Sequence, residues 1–162
     1  MQALTRIRPA TAQDIPELIK LLRGKAEFDG NLSSLKATEE TLDAALFSAT
    51  PLTFALVAAA GDSLVGMAIY HHIFSSFLVR PGLWLDDLFV YESYRGQGIG
   101  KDLIVHLCRA AKEQNCARVD WLVSKNNARG IDFYQGIGGS VSEIGRLVRL
   151  DEAALVKLAA SA

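Results

Sequence analysis

The chain has 162 residues, half of them hydrophobic, which suffices for one well-buried domain and is too short for two ordinary ones. Seventeen basic residues against eighteen acidic leave a net charge of −1, so no blanket attraction to nucleic acid or an anionic membrane exists and any charged partner is small or locally recognised. Cys108 and Cys116, the two cysteines, have the spacing of neither a zinc clip nor a CxxC pair and read as reduced, packed thiols.

In chain order, "MQALTRIRPATAQD" carries arginines where a secretory leader needs its apolar core, and no later run approaches eighteen uncharged apolar residues, so a cytoplasmic protein is expected. Within it, "LTRIRPA" alternates as a first strand stopped by Pro9; Thr11 or Asp14 then caps a helix with Ile15, Leu18, Ile19 and Leu22 on one face. Gly24 and Gly30 are expected to loosen the chain beyond that helix. "TEETLDAALF" reads as a second helix with Thr38 and Thr41 as caps, and "LTFALVAAAGDSLVGMAIYHHIF" as two strands around Gly61-Asp62. "GLWLDDLFV" is a fourth strand, acidic at its centre. A helix from near Ile99 to near Gln114 presents Ile99, Leu103, Leu107 and Ala110, followed by a strand "ARVDWLVS", a short helix "NARGIDFYQGI" and a last pair of strands ending in "RLVRLD". No repeat or linker interrupts the chain, so one continuous domain over 1–162 is expected, an α/β or α+β sheet of six or seven strands flanked by helices.

Between the fourth strand and its helix, "YRGQGIG" puts Gly96, Gly98 and Gly100 where unpaired N–H groups and the positive helix end make an anion site that bare backbone lets a pyrophosphate reach. A glycine-rich turn that only reverses the chain is the plain alternative. A dinucleotide fingerprint belongs after the first strand, not the fourth, and the Gly-Lys-Ser/Thr ending of a P-loop is missing.

"RGQGIG" resembles the R/Q-x-x-G-x-G/A signature of the Gcn5-related N-acetyltransferases (GNAT), as Arg95, Gly98 and Gly100. "RPATAQD", "LDDLFVYESYRGQGIG" and "NNARGIDFYQGIGG" look like the diamine branch of that superfamily, the spermidine/spermine and thialysine acetyltransferases. The resemblance implies a mostly antiparallel sheet, acetyl-coenzyme A as donor with its pyrophosphate at Arg95, Gly96, Gln97, Gly98, Ile99, Gly100 and Lys101, main-chain groups of Leu88, Phe89 and Val90 along its pantetheine arm, a cofactor contact from Asn127, and a homodimer. Without the resemblance, Asn127 reads as the N-cap of the short helix, and both roles can coexist.

Acetylating an amine poses a proton problem. A lysine-like ammonium has a pKa of about 10.4, so finding it neutral at pH 7 costs roughly 4 to 5 kcal/mol and a base is valuable. Asp86 and Asp87 interrupt an apolar strand, where a carboxylate needs a task or a partner. Strand alternation would turn one to the cleft and leave the other to pair structurally; two strand-edge carboxylates in water is the plain reading. By resemblance Asp86 takes the substrate-binding, base position, where the branch has the longer glutamate, which favours a water-mediated proton path. Tyr134 matches the family's general acid toward the coenzyme A sulfur, although a tyrosine on an amphipathic helix is ordinarily packing. His71 and His72 lack a third ligand, so no metal is expected, and His106 reads as a surface residue.

The expected activity is direct transfer of acetyl to a small amine; a protein N-terminus or lysine as acceptor, and a coenzyme A-binding module without catalysis, are the rivals. Phe28 and Asp29 match an aromatic-acidic pair at the substrate end of the polyamine enzymes, so Phe28, Asp29, Asp86 and Asp87 form the expected acceptor site. Ser76 stands where those enzymes have a further aspartate, and Ile144-Gly145 replaces their glycine-tryptophan pair. Arg80, as a partner for a substrate carboxylate or simply a solvated turn residue, completes an expectation of thialysine, lysine, ornithine or short diamines over spermine.

Overall fold

The first strand, β1 (Thr5–Pro9), ends at its proline in a computed structural model that describes residues 5–161. A short turn follows in which Asp14 ties strand to helix: Arg8 Nη1 and Nη2 donate to its two carboxylate oxygens at 2.6 and 2.8 Å, and the Thr11 N–H donates to Oδ2 at 2.7 Å. The hydrogen bond from Arg8 is the main reason that the buried Asp14 carboxyl is held down at about 2.

The chain forms two compact units, Met1–Leu122 and Val123–Ala162. In the first, β1 is followed by α1 (Ile15–Phe28), α2 (Glu39–Phe47), β2 (Phe54–Ala60), β3 (Ser63–Ser75), β4 (Arg80–Val90), α3 (Ile99–Glu113) and β5 (Val119–Asp120). The strands lie in the order β1-β2-β3-β4-β5, antiparallel except for the parallel pair β4 and β5. Both faces of the sheet are covered, which is why β2 reads as a nearly continuous apolar run. Ala55, Val57, Met67, Ile69 and Phe89 meet Leu18, Leu21 and Leu22 of α1 and Leu42 and Leu46 of α2. Leu56, Ala58, Val65, Ala68, Leu83, Leu85 and Val90 meet Ile99, Leu103, Leu107 and Ala111 of α3.

The structure corrects several expectations. Gly24 lies inside α1 rather than after it: a Cβ there would stand 3.0 Å from the Phe89 ring, so packing against that ring outweighs the modest helix cost of glycine. On α3, Ala111 takes the core position expected for Ala110. Cys108 is exposed rather than packed, while Cys116 is partly buried against the α3-side core; both are free. Thr38 caps α2 as expected, accepting from the Thr41 N–H at 3.2 Å.

The second unit holds α4 (Ala128–Gly136) and α5 (Glu152–Ala159), each capped by its preceding residue: Asn127 Oδ1 accepts from the Gly130 N–H at 2.9 Å and Asp151 Oδ1 from the Ala154 N–H at 2.8 Å. The described residues form five strands, fewer than the six or seven expected. "ARVDWLVS" contributes only Val119–Asp120, and the last pair does not form, because alternation alone makes no strand without a neighbour to pair with. Leu147, Val148 and Leu150 are exposed instead. Among the described residues no helix is long and apolar enough to cross a membrane.

Candidate active site

β4 passes into α3 through a one-turn 3-10 segment, Glu92–Tyr94. Gly96 and Gly98 then take φ of 77° and 85°, with Gly98 as the residue that caps α3. A Cβ at either glycine would meet no heavy atom within 4 Å, so these positions require left-handed backbone rather than room within the chain. The Asp102 N–H closes the first helical turn onto the Gly98 carbonyl at 3.0 Å. The N–H groups of Ile99, Gly100 and Lys101 precede that bond, at the positive end of a helix of fifteen residues. Gln97 and Lys101 are exposed beside them. Arg95 braces the loop: its Nε donates to the Val90 carbonyl at 2.8 Å, and its guanidinium lies 4.7 Å from the Phe28 ring centroid and 5.6 Å from that of Phe89.

β4 supplies the second feature. Its pairing with β5 covers Leu83↔Val119 and Trp84↔Asp120, so among the described residues no strand pairs with Leu85 to Val90 on that side. An edge of this kind presents main-chain donors and acceptors to an extended partner. Phe89 and Val90 are buried and Leu88 is partly buried, so their side chains are committed to the two cores.

Asp86 and Asp87 do not alternate as a regular strand would have them. The register runs Ile69↔Asp87 and then Tyr70↔Leu85, leaving Asp86 as the extra residue of a β-bulge. Beyond the bulge the phase is reversed: Leu85 packs on the α3 side, whereas Phe89, two residues past Asp87, packs on the α1 side. Asp86 is exposed. Asp87 is half-buried toward α1, where Lys25 Nζ lies 3.6 Å from Asp87 Oδ1 and also pairs with Asp29 one turn along its own helix. Burial pushes the Asp87 carboxyl above its ordinary value; the Lys25 charge pulls it back, and Asp86 and Asp29 add to the upward push. Phe28 is exposed under the Arg95 guanidinium.

Sequence reasoning misses Lys25, although its i,i+4 spacing to Asp29 is the signal that marks such a pair. Arg80 is engaged elsewhere: its Nη2 donates to the Asn115 carbonyl at 3.0 Å and to Asn115 Oδ1 at 2.9 Å, at the corner after α3. His72 Nε2 contacts Gln114 Oε1 at 2.5 Å, and among the described residues no group of three metal-ligating side chains occurs. In the second unit Tyr134 lies on α4, its ring 5.2 Å from that of Phe133, and burial raises its hydroxyl above the ordinary value, which keeps it protonated.

A helix N-terminus capped by left-handed glycine, following a strand with no strand paired along part of one edge among the described residues, has the geometry of an anion site. Residues 17–138 match the model of the Acetyltransferase (GNAT) family, and the chain belongs to that family as an N-acetyltransferase. It is similar to thialysine N-epsilon-acetyltransferase of Mus musculus, 33% identical over 144 residues that cover 84% of each chain. It is 26% identical to L-ornithine N5-acetyltransferase of Arabidopsis thaliana, over 93% of this chain and 86% of that one. Among solved structures, an integron cassette protein from the mobile metagenome of V. cholerae matches with a TM-score of 0.79 and 28% identity, over 97% of this chain and 98% of that chain.

Proposed function

We propose that this enzyme acetylates a primary amine of a small diamine or diamino-acid-like acceptor, thialysine, lysine, ornithine or a short polyamine, with acetyl-coenzyme A as donor in a ternary complex. The observation that carries the acceptor class is the pair of carboxylates, Asp29 and Asp87, already gathered around one ammonium, that of Lys25; side chains arranged in this way suit a cationic acceptor. The similarity to thialysine and ornithine acetyltransferases supports the same class.

The donor's pyrophosphate suits the N–H groups from Gly98 to Lys101, with Arg95, Gly96 and Gln97 shaping the loop, because nothing within 4 Å would obstruct close approach at Gly96 or Gly98. The open edge of β4 at Leu88, Phe89 and Val90 suits a pantetheine arm, and Asn127 adds a contact while it caps α4. Bound acetyl-coenzyme A supplies an acetyl group activated as a thioester. Phe28, Asp29, Asp86 and Asp87 receive the amine. Asp86, exposed and short, takes the amine proton through water, and Tyr134, kept protonated by burial, donates to the departing thiolate. The family match crosses the boundary between the two units, which supports one acetyltransferase domain over 1–162. A cytoplasmic homodimer completes the reading.

The test is thiol release from acetyl-coenzyme A with and without a panel of these amines. Release that depends on an amine supports the proposal. Binding of coenzyme A with no amine-dependent release would make the chain a binding module instead.

A further inference from the structure

The amine-acetyltransferase reading leaves unexplained why a cation of the chain itself occupies the carboxylates that would hold the acceptor. Lys25 is 21% exposed and Asp87 26%, so the pair is shielded from bulk solvent more than an ordinary surface contact, and Asp29, 43% exposed, closes the outer side. The carboxylates paired with Lys25 Nζ are those of Asp29 and Asp87, with Asp86 next in sequence to Asp87 and the Arg95 guanidinium over the ring of Phe28, the residue before Asp29. Arg80, the other cation considered for a carboxylate-bearing acceptor, is tied to Asn115.

Resting on that reading, we propose that Lys25 is a specificity-determining residue: an internal cation that occupies Asp29 and Asp87, opposes a second ammonium and offers its charge to an acceptor carboxylate. A polyamine must displace Lys25 to reach both carboxylates and places further positive charge against it. An amino-acid acceptor places one ammonium at the remaining negative charge and its carboxylate toward Lys25. Charge discrimination of this kind acts at close range, where a partly buried unit charge counts for much more than in bulk water.

Lys25→Met removes the charge and keeps an unbranched chain of similar reach, and Lys25→Arg keeps the charge. With the full-length enzyme, kcat/KM for spermine and for ornithine are measured side by side at low ionic strength. Lys25→Met is expected to raise the spermine value by about tenfold and lower the ornithine value by about tenfold, while Lys25→Arg keeps the parent's preference. A purely structural role would lower both values together in Lys25→Met, and that result overturns the inference. Calorimetric titration with spermine alone separates this claim from the activity: if no amine is acetylated the proposed function fails, and the role of Lys25 still stands or falls on whether Lys25→Met tightens spermine binding. Unchanged binding would refute it.

Discussion

Gly98→Ala asks whether the loop before α3 holds an anion or only turns the chain. Gly98 has φ 85°, and a Cβ there would meet no heavy atom within 4 Å. Alanine therefore collides with nothing in the protein, and its cost is that of left-handed backbone, about 1 to 2 kcal/mol, or roughly 2 to 8 °C in Tm for a chain of this length. Gly61, at the β2–β3 turn, has φ 61° and equally open space, so Gly61→Ala carries a similar backbone cost away from the loop and serves as the control. If the α3 N-terminus holds the pyrophosphate, only Gly98→Ala places a methyl group where phosphate oxygens must approach the N–H groups. Losing one charge-assisted hydrogen bond is worth about 1.5 to 3 kcal/mol, so acetyl-coenzyme A affinity is expected to fall by about 10- to 100-fold. Calorimetric titration of both folded variants reads the difference. Affinities for the two variants within about twofold of each other would refute the reasoning.

Tyr134→Phe removes one hydroxyl and should keep the fold and donor affinity while lowering turnover by about 10² to 10⁴; turnover within a few-fold of the parent at saturating amine leaves packing as the better account of this residue. Asp86→Asn should lower kcat/KM most at low pH, where the amine is hardest to deprotonate, and parallel, pH-independent losses in Asp86→Asn and Asp87→Asn would remove the distinction between the two. Because the Asp87 carboxyl is held above its ordinary value, its ionisation costs more in the folded chain than in the unfolded one; it subtracts stability as pH rises beyond the ordinary carboxylate range, and Asp87→Asn should flatten that part of the Tm-against-pH curve. Asp14 has the opposite sign: held at about 2 against an ordinary 3.8, it contributes up to about 2 kcal/mol that is present above about pH 4 and lost as pH falls toward about 2. Asp14→Asn should therefore lower Tm at neutral pH and leave it nearly unchanged at about pH 2.

Much of the fold is legible because the elements keep their periods. The amphipathic spacing of α1 and α3, the Thr38 and Asn127 caps and the Gly61-Asp62 turn all stand where the residues put them. The features that sequence reasoning misses are events of the backbone and of packing between distant segments. The bulge at Asp86 has no side-chain signature of its own, yet it reverses the facing of every later residue in β4 and brings Asp87 to Lys25. Gly24 looks like a helix end until the Phe89 ring is placed against it. Arg80 beside Pro81-Gly82 gives no hint of its bonds to Asn115, some thirty-five positions later. The glycine loop before α3 is legible because glycines between a strand and a helix mark left-handed backbone at a helix start; the ion pair of Lys25 with Asp87 is not, because Asp87 lies far away in sequence.

Competition in a single vessel tests the central claim most directly: limiting acetyl-coenzyme A, equal concentrations of thialysine, lysine, ornithine, a short diamine and spermine, and the acetylated products weighed by mass spectrometry. The account predicts that N-acetylated amino acids or the short diamine dominate and that acetylspermine is the minor product. Acetylspermine about tenfold above every other product would contradict the acceptor assignment, and a vessel without any acetylated amine would contradict the proposed activity itself.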